Sequence, residues 1–191
     1  MRSVNLIFKC FQSRDKDFLI KLFNVFVRSK LEYCSQVWNP QFIGDIDLIE
    51  AVQRKFTRRL CYNPSLSYLN RLNILGLLPL ELRRLHLDLI FVYKLVHRKM
   101  GVDYTQFFKL KKDVVRVIRG HDYQLFKDRF TSNTTAHFFS NRVVNAWNSL
   151  RNNVVSASTV SSFKSRLNST DLNKFLKGSS LGESGGGPRR L

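Results

Sequence analysis

The chain has 191 residues, 43% of them hydrophobic and 16 of them Phe, which is apolar material for one or two small packed domains and excludes a disordered basic tail. Its 32 Lys and Arg against 14 Asp and Glu give a formal charge of +18 at pH 7, far more than solubility requires, so a polyanionic partner is expected. The apolar run Leu89 to Tyr93 is much shorter than the roughly 20 residues of a spanning helix, and Leu6, Ile7, Phe8 stop at Lys9, too short for a signal-peptide core. The expectation is an intracellular chain, cytoplasmic or nuclear, that meets nucleic acid rather than membrane.

In chain order, Asp15 is placed to cap a helix in which Phe18, Leu19, Leu22, Phe23, Phe26, Val27 and Leu31 recur at three- and four-residue steps. That helix must stop by Pro40, because the residue before a proline is pushed out of the helical region. It contains LEYCS, residues 31–35, where Glu32, Tyr33, Cys34 and Ser35 stand side by side. Consecutive helical residues fan out by about 100° each, so these four do not converge on one substrate atom. The stretch reads as a packing helix with Cys34 and Trp38 on the buried face and Glu32 outside.

After the loop Phe42-Ile43-Gly44, Asp45 is placed to cap a second helix, with Asp47 and Glu50 near its N-terminus and Ile46, Ile49, Val52, Phe56 and Leu60 as the apolar stripe. Its far half carries Arg54, Lys55, Arg58 and Arg59, two i, i+4 pairs on the face that the stripe leaves free, and no Asp or Glu occurs between Glu50 and Glu81. Two readings compete for this cluster: a phosphate-binding surface, or a solvated helix end that complements the macrodipole.

Ser67 then caps a short helix through Tyr68, Leu69, Leu72 and Leu75 that Gly76 closes, and Leu78-Pro79 opens a strongly apolar helix to about Met100. Arg83, Arg84, Asp88, Lys94, His97, Arg98 and Lys99 are its expected polar surface. From Lys109 the texture changes: Val114 to Gly120 is β-branched and turn-bounded, and Tyr123 to Lys127 follows, which leaves room for a small hairpin with any sheet confined to about residues 113–130. Lys111, Lys112, Arg116 and Arg119 extend the cationic surface here. Helix returns over His137 to Leu150, with Phe139, Val143, Trp147 and Leu150 on one face, and a last amphipathic piece after Ser158 carries Val160, Phe163 and Leu167. The Gly/Ser-rich tail has nothing to bury and reads as flexible.

Cys10, Cys34 and Cys61 are odd in number and far apart, which fits neither a disulfide framework nor a zinc arrangement, so they read as reduced. No two of His86, His97, His121 and His137 lie at i, i+3 or i, i+4. No catalytic residue, metal or cofactor is expected. The fold class that follows is mainly α: a helical bundle with room for a small β-hairpin in its C-terminal half and a disordered tail, divided at about 1–108, 109–176 and 177–191.

Several strings carry a resemblance. Leu31-Glu32-Tyr33-Cys34-Ser35-Gln36-Val37-Trp38-Asn39-Pro40, then Leu48 to Lys55 (LIEAVQRK), then Leu75 to Arg84 (LGLLPLELRR) are similar to the region C-terminal to the palm in reverse transcriptases of non-LTR retrotransposons, jockey-like elements especially. Phe138 to Leu150 (FFSNRVVNAWNSL) and Phe163-Lys164-Ser165-Arg166-Leu167 resemble the end of the same polyproteins, so the likeness runs in order from about residue 14 to 168. Arg151 stands where such proteins usually continue Trp-Asn-Ser-Leu with Pro. More consequentially, the Phe/Tyr-Ala-Asp-Asp turn whose carboxylates hold two metal ions for nucleotidyl transfer has no counterpart, since the sequence holds no Asp-Asp pair. The resemblance implies a non-catalytic thumb-like piece, residues 1–108, with a C-terminal segment over 109–176. Its expected partners are the backbone of an RNA or DNA duplex or hybrid, gripped without sequence preference, and a palm domain supplied elsewhere. The alternative is a helical module that docks on a palm without touching nucleic acid.

Overall fold

The computed structural model describes residues 2–13, 15–114, 120–129 and 132–178. These are mainly helical, as the periodicity implies, and gather into two compact units: residues 2–83 with 176–178, and residues 84–175. The expected boundary at residue 108 falls inside the second unit. One long helix, α7 (Leu80–Val96), is the cause, because its first turn is held within the first unit while its later turns build the core of the second.

In the first unit, α1 (Arg2–Cys10) packs with α2 (Lys16–Phe23), which Asp15 caps by accepting from the Asp17 N–H at 3.0 Å. Val4, Ile7, Leu19, Phe23, Val27, Phe56 and Leu60 form the core, with the Phe23 and Phe56 rings stacked at 4.3 Å. Beyond Phe23 the helix widens into a π-turn, Asn24–Arg28, before α3 (Ser29–Glu32). A π-turn spends an extra residue on each revolution, so the positions after it lag behind the α-helical pattern. Val27 therefore joins Leu19 and Phe23 inside, whereas Phe26, expected inside, turns outward and is 50% exposed.

Tyr33 ends the helix, Cys34 adopts the left-handed conformation at φ 52°, and α4 (Ser35–Trp38) starts on a new heading. The packing-helix reading of LEYCS is overturned on this account. Cys34 is exposed, and Trp38 is 40% exposed with its Nε1–H donating to the Tyr33 carbonyl at 2.6 Å. Glu32, expected outside, is the side chain that turns in, accepting from Arg83 Nε at 2.5 Å and Nη2 at 3.0 Å.

The next helix, α5 (Ile43–Cys61), begins two residues ahead of the expected cap, leaving Asp45 in its first turn. In α6 (Tyr68–Ile74) both ends are as read: Ser67 Oγ accepts from the Asn70 N–H at 3.2 Å, and Gly76 takes φ 61° so that the Leu77 N–H reaches back to the Leu72 carbonyl at 2.9 Å. Leu77 then packs on Leu72 and Tyr68.

In the second unit, Leu89, Val92, Tyr93 and Leu95 of α7 are fully buried, as are Trp147, Phe163 and Leu167, and Tyr93 stacks on Phe163 at 4.3 Å. Arg84 and Asp88 are buried too, not on the expected polar surface. Asp88 is held by Arg142, whose Nε and Nη2 donate to its carboxylate at 3.0 and 3.2 Å. The helix expected from His137 to Leu150 is broken into α10 (Phe139–Arg142) and α11 (Val144–Asn148), after the short α8 (Lys111–Val114) and α9 (Asn133–Ala136). Two more follow, α12 (Asn152–Val155) and α13 (Val160–Asn168), the latter starting after Ser158 as expected and capped by Thr159, with Ser162 N–H donating to Thr159 Oγ1 at 3.1 Å.

Among the described residues, strand pairing is reduced to one antiparallel bridge, Leu110 with Leu125, flanked by Lys111 N–H to Gln124 C=O at 2.7 Å and Phe126 N–H to Lys109 C=O at 2.8 Å. Val114 belongs to a helical turn, while residues 115–119 of the expected hairpin and residues 179–191 of the expected tail lie outside the described residues. The Asn148 amide replaces a further strand: it donates to the Leu125 carbonyl and accepts from the Leu125 N–H, both at 2.8 Å. Among the described residues, no helix is long and apolar enough to cross a membrane.

Candidate nucleic-acid interface

The rotation of α5 decides which of its side chains face solvent, and polar contacts set that rotation. Its buried side is Ile46, Glu50, Gln53, Phe56, Thr57 and Leu60, not the purely apolar stripe expected; Ile49 and Val52 are half-buried. Glu50 is 1% exposed and accepts from the Leu80 N–H at 2.9 and 3.1 Å, capping α7 from a neighbouring helix, and from the Tyr68 hydroxyl. Gln53 Nε2 donates to Tyr68 Oη and to the Leu78 carbonyl, both at 3.0 Å. Burial first, then the Glu50 carboxylate, push the Tyr68 hydroxyl far above its ordinary range, so it stays a protonated donor. Thr57 Oγ1 accepts from the buried Arg71 Nε at 3.4 Å, and Arg71 Nη1 donates to the Leu66 carbonyl at 2.5 Å.

With that side fixed, Arg54, Lys55, Arg58 and Arg59 are turned toward solvent on two adjacent rows, Arg58 and Arg59 exposed and Arg54 and Lys55 half-buried. At about 1.5 Å rise per residue they span about 7 to 8 Å. They differ in partners. Arg54 lies 3.5 Å from Asp47 and 5.4 Å over the Tyr68 ring, so the expectation that no nearby carboxylate serves the cluster fails for this member: a side chain two turns earlier reaches it. Arg59 is set in place without being neutralised, its guanidinium 4.2 Å over the Phe8 ring and its Nη1 donating to Asn5 Oδ1 at 3.3 Å. Among the described residues no carboxylate pairs with Lys55, Arg58 or Arg59.

The remaining predicted residues lie elsewhere in the chain. Lys111 and Lys112 sit on α8 in the second unit, and Arg116 and Arg119 lie outside the described residues. Tyr62, which the sequence reading passed over, does belong here. It ends α5 with φ 50° and ψ 9°, four residues after Arg58, with its side chain open to solvent. Its signal in the sequence is the break it marks: an aromatic between the basic helix and Asn63-Pro64.

At LEYCS the geometry is that of a corner, not of a reaction centre. All three cysteines are free, and a hydrogen bond to Cys34 is the main reason the Tyr33 hydroxyl titrates above its ordinary value. No group of three or more His, Cys, Asp or Glu among the described residues is arranged to hold a metal ion. No protein family, curated protein or solved structure matches the chain.

Proposed function

We propose that this chain is a non-catalytic, thumb-like piece of a retrotransposon RNA-directed DNA polymerase whose first unit binds the sugar-phosphate backbone of nucleic acid, in the cytoplasm or nucleus. The observation that carries the reading is the solvent face of α5, where Lys55, Arg58 and Arg59 have no carboxylate partner among the described residues and Arg59 is held ready by Asn5 and Phe8. Such a face neutralises phosphates without reaching base edges, so the binding is sequence-tolerant and salt-dependent.

The test is a duplex-binding titration at several salt concentrations, with the triple variant Lys55→Gln, Arg58→Gln, Arg59→Gln beside the wild type. Gln keeps the helix propensity, so the fold persists. At about 0.9 per phosphate contact on B-form DNA, the log–log slope should flatten by about 2.7. Arg54→Gln should remove less, since Asp47 already shares that charge. An unchanged slope in the folded triple variant overturns the assignment to α5, and the pair Lys111→Gln, Lys112→Gln then tests α8.

A second reading has an observation of its own. Val25, Phe26, Tyr33, Val37 and Trp38 of the first unit are exposed, as expected of a module that docks on a palm domain through an apolar face. Absence of duplex binding even at low salt, together with dye binding that Phe26→Gln and Tyr33→Gln remove, would favour docking over the backbone-binding reading.

A further inference from the structure

Tyr62 occupies a conformation that a bulky side chain adopts rarely and that costs stability, and its ring, 81% exposed, returns no packing to the fold. Of the three non-glycine residues with positive φ among the described residues, Cys34, Tyr62 and Arg98, Tyr62 alone puts an aromatic ring beside the basic face of α5. It stands one turn beyond Arg58 and Arg59 and two turns beyond Lys55, about 10 Å from Lys55 along the axis. The turn that follows it is tied to α5. Asn63 Oδ1 accepts from the Ser65 N–H at 3.0 Å, and Arg71 ties the Leu66 carbonyl to Thr57 on α5, so the turn that carries the ring is braced against the helix that carries the cations.

We infer that Tyr62 is a stacking platform for an unpaired base, and that Arg58, Arg59 and Lys55 hold the phosphates of the same strand. The ligand class is therefore single-stranded nucleic acid, or a single-stranded overhang leaving a duplex, rather than a fully paired helix. This rests on the backbone-binding reading and narrows its substrate. Every base has a face to stack, so the platform adds strand state without adding sequence preference. A tyrosine ring accepts DNA and RNA bases alike.

The experiment compares wild type, Tyr62→Phe and Tyr62→Gly on a blunt duplex, the same duplex with an oligothymidine overhang, and the same duplex with an oligouridine overhang. Stacking one base is worth about 5- to 150-fold, so the wild type should prefer the overhang duplexes by about 5-fold or more, with similar gains for thymidine and uridine. Tyr62→Phe should keep that preference. Tyr62→Gly should lose it while melting at a higher temperature, because glycine adopts positive φ without strain. Its salt slope should equal that of the wild type, since stacking releases no counterions. Overhang preference surviving in Tyr62→Gly, or vanishing in Tyr62→Phe, overturns the inference. Wild-type binding to blunt and overhang duplexes alike sinks the platform and leaves backbone binding standing, whereas no binding to any of the three sinks both.

Discussion

The two units solve the problem of their own surfaces differently. In the second, Trp147, Tyr93, Phe163 and the other large core side chains are enclosed, and four cations have partners there: Arg142 on Asp88, Lys109 on Asp128, Lys127 on Asn145 and Lys99 on the Ser158 carbonyl. Its exposed large apolar side chains, among the described residues, are Val102, Phe107, Val114 and Phe138. The first unit is open by comparison. It exposes Leu6, Val25, Phe26, Tyr33, Val37, Phe42, Ile43, Leu48 and Tyr62, and among the described residues no carboxylate pairs with Lys55, Arg58 or Arg59. Large apolar side chains and cations left in water contribute little to folding, so substitutions on the exposed face of the first unit should disturb stability less than substitutions in the core of the second.

The comparison breaks most sharply at Trp147. Trp147→Ala removes a fully buried ring and its Nε1–H bond to the Tyr123 carbonyl at 2.8 Å, and should cost about 3 to 5 kcal/mol of unfolding free energy in denaturant titration. An effect below about 1 kcal/mol would mean that the second unit is not closed around this side chain. Next in size is Glu50, a buried carboxylate of the first unit that accepts from both the Leu80 N–H and the Tyr68 hydroxyl. Glu50→Ala leaves the Leu80 N–H and the Tyr68 hydroxyl buried without their acceptor, at about 1 to 3 kcal/mol for each stranded group, and it should also loosen α5 enough to weaken duplex binding.

A smaller effect distinguishes the units by pH. Burial depresses the His97 imidazole below its ordinary 6.5, with the Val155 carbonyl pulling it back and Lys99 lowering it further; burial likewise depresses His121, against the Trp147 carbonyl and Asp122. A histidine that binds its proton less readily when folded contributes stability that is complete above pH 6.5 and is lost as the pH falls through the depressed value. Asp88, raised from 3.8 by burial against the pull of Arg142, has the opposite sign and acts near its own range: that contribution is present below 3.8 and is lost as the pH rises through the raised value. Melting followed from pH 7 to pH 5 should therefore show the second unit weakening, and His97→Gln with His121→Gln should flatten that dependence. A first unit that weakens equally over this window would show that the pH response does not come from these two histidines.

The sequence carried the elements better than it carried their faces. Asp15, Ser67, Gly76 and Pro79 act through neighbours within four residues, and each marks a helix end where spacing predicts one. Facing was lost wherever a distant residue decided it. Glu50, Gln53 and Thr57 are buried because Leu80, Tyr68, Leu78 and Arg71 meet them, and no periodicity within α5 reveals that. Asp88 is buried because Arg142 arrives from 54 positions away. Cys34 is exposed because one left-handed residue redirects the chain. Sequence segments 31–40, 48–55 and 75–84 also meet through such ties: Glu32 with Arg83, Glu50 with Leu80, and Gln53 with Leu78. They form the frame of the first unit, while Lys55, Arg58 and Arg59 lie on the opposite side of α5, where helical spacing alone places them toward solvent.

The smallest expected effect concerns the π-turn. Had Asn24–Arg28 been ordinary α-helix, Phe26 would have followed Phe23 toward the core and Val27 would have moved to its edge. The wider turn reverses this, so Phe26 and Tyr33 face out while Val27 fills the place beside Leu19 and Phe23. Phe26→Gln and Tyr33→Gln together should therefore change the stability of the first unit by no more than about 0.5 kcal/mol, as at other surface positions. They should also leave the salt slope of duplex binding unchanged, because neither side chain carries charge or lies on α5. A loss of several kcal/mol would show that these rings are covered within the protein, and the contrast between an open first unit and a closed second one would disappear.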